Sequence, residues 1–237
     1  MTEEEKKEIL KKAKQFFRDN IADKHLFNTA KLHDFKELNI NPFTVKYLAQ
    51  FAFGDSSSEN IAKALIYPRI LGTSISTTFG TQTQAFCNEV LNSNPSLASG
   101  MDIEFIDALD GRKKYCQVKA GPTTINNDDV KTINDHFLSL KNLGRINHLY
   151  LSDEDLVVGV LYGSYEKACF GYKKLAKSYT LLIGQDFWFH LTGDENFYAN
   201  LIDAYSEVAK EINAKEAVDE LIQKTADIIE ENGLTLY

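Results

Sequence analysis

The hydrophobic pattern of this 237-residue chain changes period near residue 100, and that change limits the folds open to it. Up to about residue 92 the apolar residues recur at helical spacing. Then Met101-Asp102-Ile103-Glu104-Phe105-Ile106 alternates, Asp110-Gly111 supplies a hairpin turn, and Tyr115-Cys116-Gln117-Val118-Lys119 alternates again. Strands joined by so short a turn pair antiparallel, and Asp102, Glu104, Gln117 and Lys119 can share one face. Leu156 to Tyr162 is a near-continuous apolar run, as in a strand covered on both faces, and Tyr179 to Ile183 gives one more strand. The expected class is α/β: a mixed central sheet flanked by helices, with helical additions at both ends.

The helical stretches carry their own punctuation. Thr2 and Glu5 make a capping box ahead of the stripe Ile9, Leu10, Ala13, Phe16 and Phe17. Residues 20–42 read as irregular or short helices stopped at Asn41-Pro42. A helix over Phe43 to Phe53 ends at Gly54, and Ser56-Ser57-Ser58 starts another that Pro68 is expected to break. A helix from about Thr81 to Leu91 leads into a loop at Asn92–Ser96. Asn126 or Asn127 caps a helix reaching about Leu143, with Val130, Ile133, Phe137 and Leu140 as its stripe. A helix over Tyr165 to Ser178 and a helical region from Phe187 to about Glu231, interrupted near Asn213, complete the chain. Without repeats or a low-complexity linker, 1–237 reads as a single domain: 1–92 mainly helical, 101–190 an α/β core, 194–237 an acidic helical tail.

Charge is unevenly placed. The formal net charge of −8 argues at first against a polyanionic partner. From Asp194 onward, however, eleven acids meet three bases, so the tail carries the whole excess and residues 1–193 are neutral. Between Arg112 and Arg145 seven bases face three acids. Apolar residues such as Leu201, Val208, Leu221 and Ile222 recur among the tail acids, a pattern suited to packing on the body or a second subunit. Three dispersed cysteines argue against a disulfide framework or structural zinc. A polar N-terminus and the lack of an apolar run near 18 residues point to a soluble, cytoplasmic protein without a membrane partner.

The hairpin carries the chemistry. Phosphodiester hydrolysis needs a metal ion to polarise the phosphate and bind hydroxide, with a cation near the developing charge. Asp102 on one strand, facing Gln117 and Lys119 on the next, meets that need, since the period of two aims Gln117 and Lys119 the same way. A plain solvent face would show the same loose spacing. Thr123, Thr124, Asn126 and Asn127 follow at a helix start, where hydroxyls and amides suit phosphate.

Several ordered blocks share this context: Ile40-Asn41-Pro42-Phe43, Ala64 to Ser74, Asp102 with Asp110-Gly111-Arg112, Gln117 to Pro122, Val157 to Gly163, and Ile183 to Trp188. Together they resemble the PmeII-type family of type II restriction endonucleases over roughly residues 1–210. The resemblance implies the PD-(D/E)xK restriction-endonuclease-like fold, cleavage of double-stranded DNA with Mg²⁺ (Mn²⁺ substituting), homodimers, and pairing with a cognate DNA methyltransferase. It makes Asp102 the metal-binding acid and Lys119 the motif lysine. Gln117 departs from the pattern, standing where the superfamily has an acid. Glu89 on the preceding helix, or Glu104, can supply the missing carboxylate, and the Val118 carbonyl can be a further ligand.

DNA contacts are expected from the polar run holding Arg69, Thr73, Ser74, Thr81, Gln82 and Gln84, since glutamine suits base edges and threonine phosphates. Lys113 and Lys114 at the hairpin tip are expected to meet phosphate. Trp188 and its phenylalanine neighbours read as core, and the five histidines as without a role. Two alternatives remain open: a structure-specific or repair nuclease of the same fold, and a DNA-binding module in which Gln117 marks lost catalysis.

Overall fold

The computed structural model describes residues 2–38, 40–90, 94–95 and 99–234, the side chains of Gln84, Asn94 and Pro95 excepted. In chain order the elements are α1 (Glu3–Phe17), α2 (Asp23–Lys31), α3 (Pro42–Phe53), α4 (Ser58–Pro68), α5 (Ser74–Val90), β1 (Asn94–Pro95), β2 (Ile103–Ile106) and β3 (Lys113–Lys119). There follow α6 (Asn127–Ile146), β4 (Leu156–Val160), α7 (Phe170–Leu175), β5 (Thr180–Ile183), α8 (Gln185–Thr192), α9 (Phe197–Ile212) and α10 (Lys215–Asn232). They form two compact units, one of Met1–Phe16 with Gly80–Tyr205, the other of Phe17–Phe79 with Ser206–Tyr237. The class is α/β, with a mixed sheet and helical flanks, as expected.

The first unit holds the sheet, ordered β1-β2-β3-β4-β5. The hairpin pairs β2 with β3 antiparallel, and β3–β4 and β4–β5 are parallel. All of β4 is buried, as the apolar run required. On one face α6 and α7 cover the strands through Val130, Ile133, Phe137, Tyr172 and Leu175. On the other, Phe187 approaches Gly159 so closely that a Cβ there would sit 2.5 Å from its ring. Trp188 is core, its indole N–H donating to the Leu161 carbonyl at 2.8 Å. The capping box at Thr2 and Glu5 forms both bonds.

The second unit is helical. Its core joins Ile61, Ala62 and Ile66 of α4 to Leu221, Ile222, Ala226 and Ile229 of α10. The apolar stripe of the acidic tail is therefore buried, while Glu216, Asp219, Glu220, Asp227, Glu230 and Glu231 stay exposed.

Several boundaries differ from the sequence reading. Pro68 does not stop the winding. It is the last residue of α4, and a wide π-turn over Arg69–Thr73, closed by Ser74 N–H donating to the Arg69 carbonyl, carries the chain into α5. Pro68 keeps helical dihedrals (φ −62°, ψ −30°), and its ring and missing N–H disturb only the turn before it, so the chain goes on winding beyond it. Helix α5 thus begins at Ser74, so Thr77 to Thr83 are helical. Asn94–Pro95 pairs with β2; Asn92, Ser93 and Ser96 of the expected loop lie outside the described residues. The helix expected over 165–178 shrinks to α7, and the C-terminal region breaks at Gly193 (φ +72°) as well as near Asn213.

The hairpin lysines part company. Lys113 is exposed and pairs with Glu104 at 2.6 Å. Lys114 does not stand at the tip to meet phosphate. It is 3% exposed, 2.6 Å from Asp110, 3.8 Å from both Asp107 and Asp155, and donates to the Glu154 carbonyl. Arg112 bridges Asp110 (3.1 Å) and Glu154 (2.7 Å). The Lys114 ammonium, with the Arg112 N–H, holds the Asp110 carboxyl well below the usual carboxylate range. The network ties the turn to the segment entering β4. Removing one partner of a buried ion pair typically costs ~3–5 kcal/mol, so Lys114→Ala is expected to lose about that much in denaturant unfolding. Lys113 is itself exposed although its partner Glu104 is buried, so Lys113→Ala should lose less than Lys114→Ala, and equal losses would contradict this assignment.

Candidate active site

Asp102 stands one residue before β2, where the hairpin opens. The register sets Ile103 against Cys116 and Glu104 against Tyr115. One step further would face Asp102 with Gln117, but the Asp102 N–H donates to the Cys116 carbonyl at 2.9 Å instead. The ladder is out of step at this end, and the side chain turns across β3, where Oδ2 accepts the Val118 N–H at 2.7 Å. The N–H and C=O of one strand residue leave on the same side. The Val118 carbonyl therefore opens beside Asp102, whereas the Lys119 carbonyl faces β4 and accepts from Leu161 N–H at 3.1 Å.

Gln117 and Lys119 project from the same face of β3, the first buried and the second half-buried. Burial pushes the Asp102 carboxyl above its ordinary range, and the Val118 N–H, Lys119 and His136 each pull it back. A carboxylate held in a partly dry site against its solvation preference is poised to gain from any cation that arrives. Cys87 and Cys116 are buried beside it, and burial pushes the Cys87 thiol up to about 12, so neither is a nucleophile.

The Gln117 amide has defined neighbours. Nε2 lies 2.6 Å from the Gly100 carbonyl and 2.8 Å from His136 Nδ1. Gly100 adopts φ +84°, and a Cβ there would overlap the His136 ring, so only glycine lets that carbonyl approach. Sequence reasoning gave no role to His136. Its one signal was its place beside the buried Phe137 on α6, which any helix-facing histidine would share.

The other expected site residues are scattered. Glu89 is exposed on α5, about 200° around the helix from the buried Cys87. Glu104 is held by Lys113. Thr123 and Asn127 are exposed, but Thr124 Oγ1 donates to the Gly121 carbonyl at 2.9 Å. Asn126 caps α6, accepting from Asp128 and Asp129 N–H at 2.8 and 3.0 Å, while Asp129 closes the capping box. Those N–H groups are already bonded, and two carboxylates sit beside them, so this helix start does not favour phosphate. Thr81 is exposed and Gln82 half-buried on α5; the Gln84 side chain lies outside the described residues. In the second unit, Arg69, Thr73 and Ser74 line a cavity of about 340 Å³ with Asn28, Lys31, Thr77 and one acid, Glu37.

The donors around Asp102 fit a hard divalent cation: one carboxylate, the Val118 carbonyl and the Gln117 amide oxygen, all oxygens. Magnesium is usually held by one or two carboxylates plus substrate phosphates. Among the described residues no cluster of three His, Cys, Asp or Glu could hold a metal, so this set depends on neutral oxygens.

The family model of the type II restriction endonuclease EcoO109I matches residues 11–213. It carries the coarser expectation, a type II restriction endonuclease, and is not specific to the PmeII-type family. No curated protein matches the chain. Among the described residues no helix is long and apolar enough to cross a membrane.

Asp102→Asn keeps an oxygen for the Val118 N–H and removes a charge that burial disfavours. Calorimetry of the metal-free variant should therefore find its thermal midpoint at or above that of the wild type. Asp102→Ala orphans the N–H and should lose ~1–3 kcal/mol. A midpoint several degrees lower for Asp102→Asn would mean that the charge itself holds the strand ends together.

Proposed function

The chain belongs to the EcoO109I family of type II restriction endonucleases, and from that membership we propose that it cuts double-stranded DNA at a specific sequence, with Mg²⁺, leaving 5′-phosphate and 3′-hydroxyl ends. The observation that carries this reading is the Asp102 carboxylate bonded to the Val118 N–H at 2.7 Å on the strand that presents Lys119. Asp102, the Val118 carbonyl and Gln117 Oε1 would hold the cation. A divalent ion bound there supplies polarisation of the scissile phosphate and a more acidic bound water. Lys119 lies close enough to Asp102 to lower its carboxyl. Its ammonium orients the attacking water and offsets the charge that grows on the phosphate oxygens. Glu104 on β2, held by Lys113, would serve as a second acid only by a change of side-chain position, and Glu89 faces the outer side of α5.

The remaining parts of the proposal rest on the resemblance and on charge. Mn²⁺ substitutes for Mg²⁺, the protein works as a homodimer in the cytoplasm, and a methyltransferase of the same specificity protects the host sites. The ordered blocks at 40–43, 64–74 and 183–188 favour kinship with the PmeII-type enzymes. Arg69, Thr73 and Ser74 contact DNA from their shared cavity, and Lys113 approaches phosphate from the exposed side of the hairpin. Residues 1–237 act as one restriction-endonuclease-like domain, with the acidic tail turned from the duplex.

Digestion of a mixed-sequence plasmid in Mg²⁺, followed by run-off sequencing of the ends, tests this. Discrete bands with 5′-phosphates are expected. A smear would mean a structure-specific or repair nuclease, and site-specific protection without cutting a DNA-binding module. Lys119→Ala should lower the cleavage rate by at least about a hundredfold with folding unchanged by circular dichroism; undiminished cutting would remove Lys119 from the mechanism.

A further inference from the structure

Gln117 is the residue that departs from the nuclease pattern, and its surroundings are more specific than those of a surface amide. Its Nε2 sits 2.6 Å from the Gly100 carbonyl. A carbonyl oxygen can only accept, so the atom facing it must be the amide nitrogen; a flipped amide would set two oxygens against each other. The same nitrogen lies 2.8 Å from His136 Nδ1. An amide nitrogen carries two hydrogens, and these two acceptors take both. In this bond the imidazole offers its Nδ1 lone pair and carries its proton on Nε2. Oε1 is then the one polar atom of Gln117 left to face elsewhere, and among the described residues it takes no hydrogen bond. The period of the strand aims the residue along the face that carries Lys119.

We propose that His136 is a positioning residue for the Asp102–Lys119 site: with the Gly100 carbonyl it locks the Gln117 amide so that Oε1 is presented as a neutral cation ligand. The inference rests on the reading of that site as a divalent-cation centre. It also accounts for the departure itself. A glutamate at 117 would bring a carboxylate oxygen against the Gly100 carbonyl with no hydrogen between them. Gly100, Gln117 and His136 form an interlocked set, because a side chain at 100 would overlap the imidazole. The glutamine is thus a fitted ligand, and the neutral site is the working one.

The test uses the full chain and Mn²⁺ as the probe, with bound ion measured by electron paramagnetic resonance of the free fraction, alongside plasmid cleavage and thermal midpoints. His136→Ala and His136→Leu remove the acceptor and should weaken Mn²⁺ binding by about 10–100-fold, the usual effect of losing a partner that orients a ligand, and slow plasmid cleavage at a fixed, subsaturating Mn²⁺ concentration. His136→Asn puts an amide oxygen near the place of Nδ1 and should restore Mn²⁺ affinity to within about threefold of wild type, well short of that loss. Wild-type Mn²⁺ binding in His136→Ala overturns the proposal. So does an equal loss in His136→Ala and His136→Asn, which would mark the residue as structural. If the alanine variant does not fold, the asparagine variant decides alone, and its failure to bind Mn²⁺ like wild type is fatal. A wild-type protein that binds no Mn²⁺ and cuts no DNA would instead remove the nuclease reading beneath the inference; binding and cutting that ignore position 136 would leave that reading standing.

Discussion

A carboxylate tied to a backbone N–H at the open end of a strand pair is the interaction around which the first unit is arranged. The Asp102–Val118 bond spans 2.7 Å where the regular ladder has already slipped by a residue. Such a bond is costly to keep, because the partly dry site that strengthens it also raises the carboxyl. It persists because β3 is held from every other direction. Strand β4 pairs along its far edge, Phe187 packs where Gly159 lacks a side chain, and α6 lies across the face that bears Gln117. At the opposite end of the hairpin, Lys114 and Arg112 bind the turn to the segment entering β4. The Asp102 end can be irregular because the turn end is fixed.

What could be read from the sequence follows from how local each signal is. The period change around Asp110-Gly111, the cap at Asn126 and the buried run of β4 are properties of neighbouring residues, and each appears where expected. The amphipathic stripe of α10 was legible too, because periodicity alone decides which side is buried. Lys114 was not legible. Next to Lys113 it looks the same, and its burial depends on Asp107 and Asp155 arriving from two other segments. Pro68 misled for a related reason: the rule that proline ends a helix is local, whereas Ile66 before it and Ile70 after it are both held in the core of the second unit.

The candidate site divides the same way. Asp102, Gln117 and Lys119 were found through strand period and motif, and the fold sets them around one strand end. The slip that swings Asp102 onto Val118 has no sequence signature, and neither does His136, which reaches Gln117 across 19 positions. Glu89 was chosen because a helix carboxylate could replace the missing acid. Its position on α5 argues otherwise, since the turn that buries Cys87 carries Glu89 to the outer side.

On the proposed reading, a single half-buried carboxylate has a consequence for the whole reaction. Neutral oxygens ligate magnesium but do little to offset its charge, so a site built from Asp102, Gln117 and the Val118 carbonyl holds the ion weakly by itself. Phosphate oxygens of the substrate would have to supply the remaining negative charge, and cation and DNA would then bind cooperatively. The distribution of charge agrees with such a scheme. A neutral body with its acids gathered in one tail attracts DNA weakly at random, which leaves occupancy to contacts made at the proper sequence. A cation site that is complete only when phosphate is in place would add a second restraint of the same kind, because a complex too loose to hold its phosphate in place would also be one without its metal.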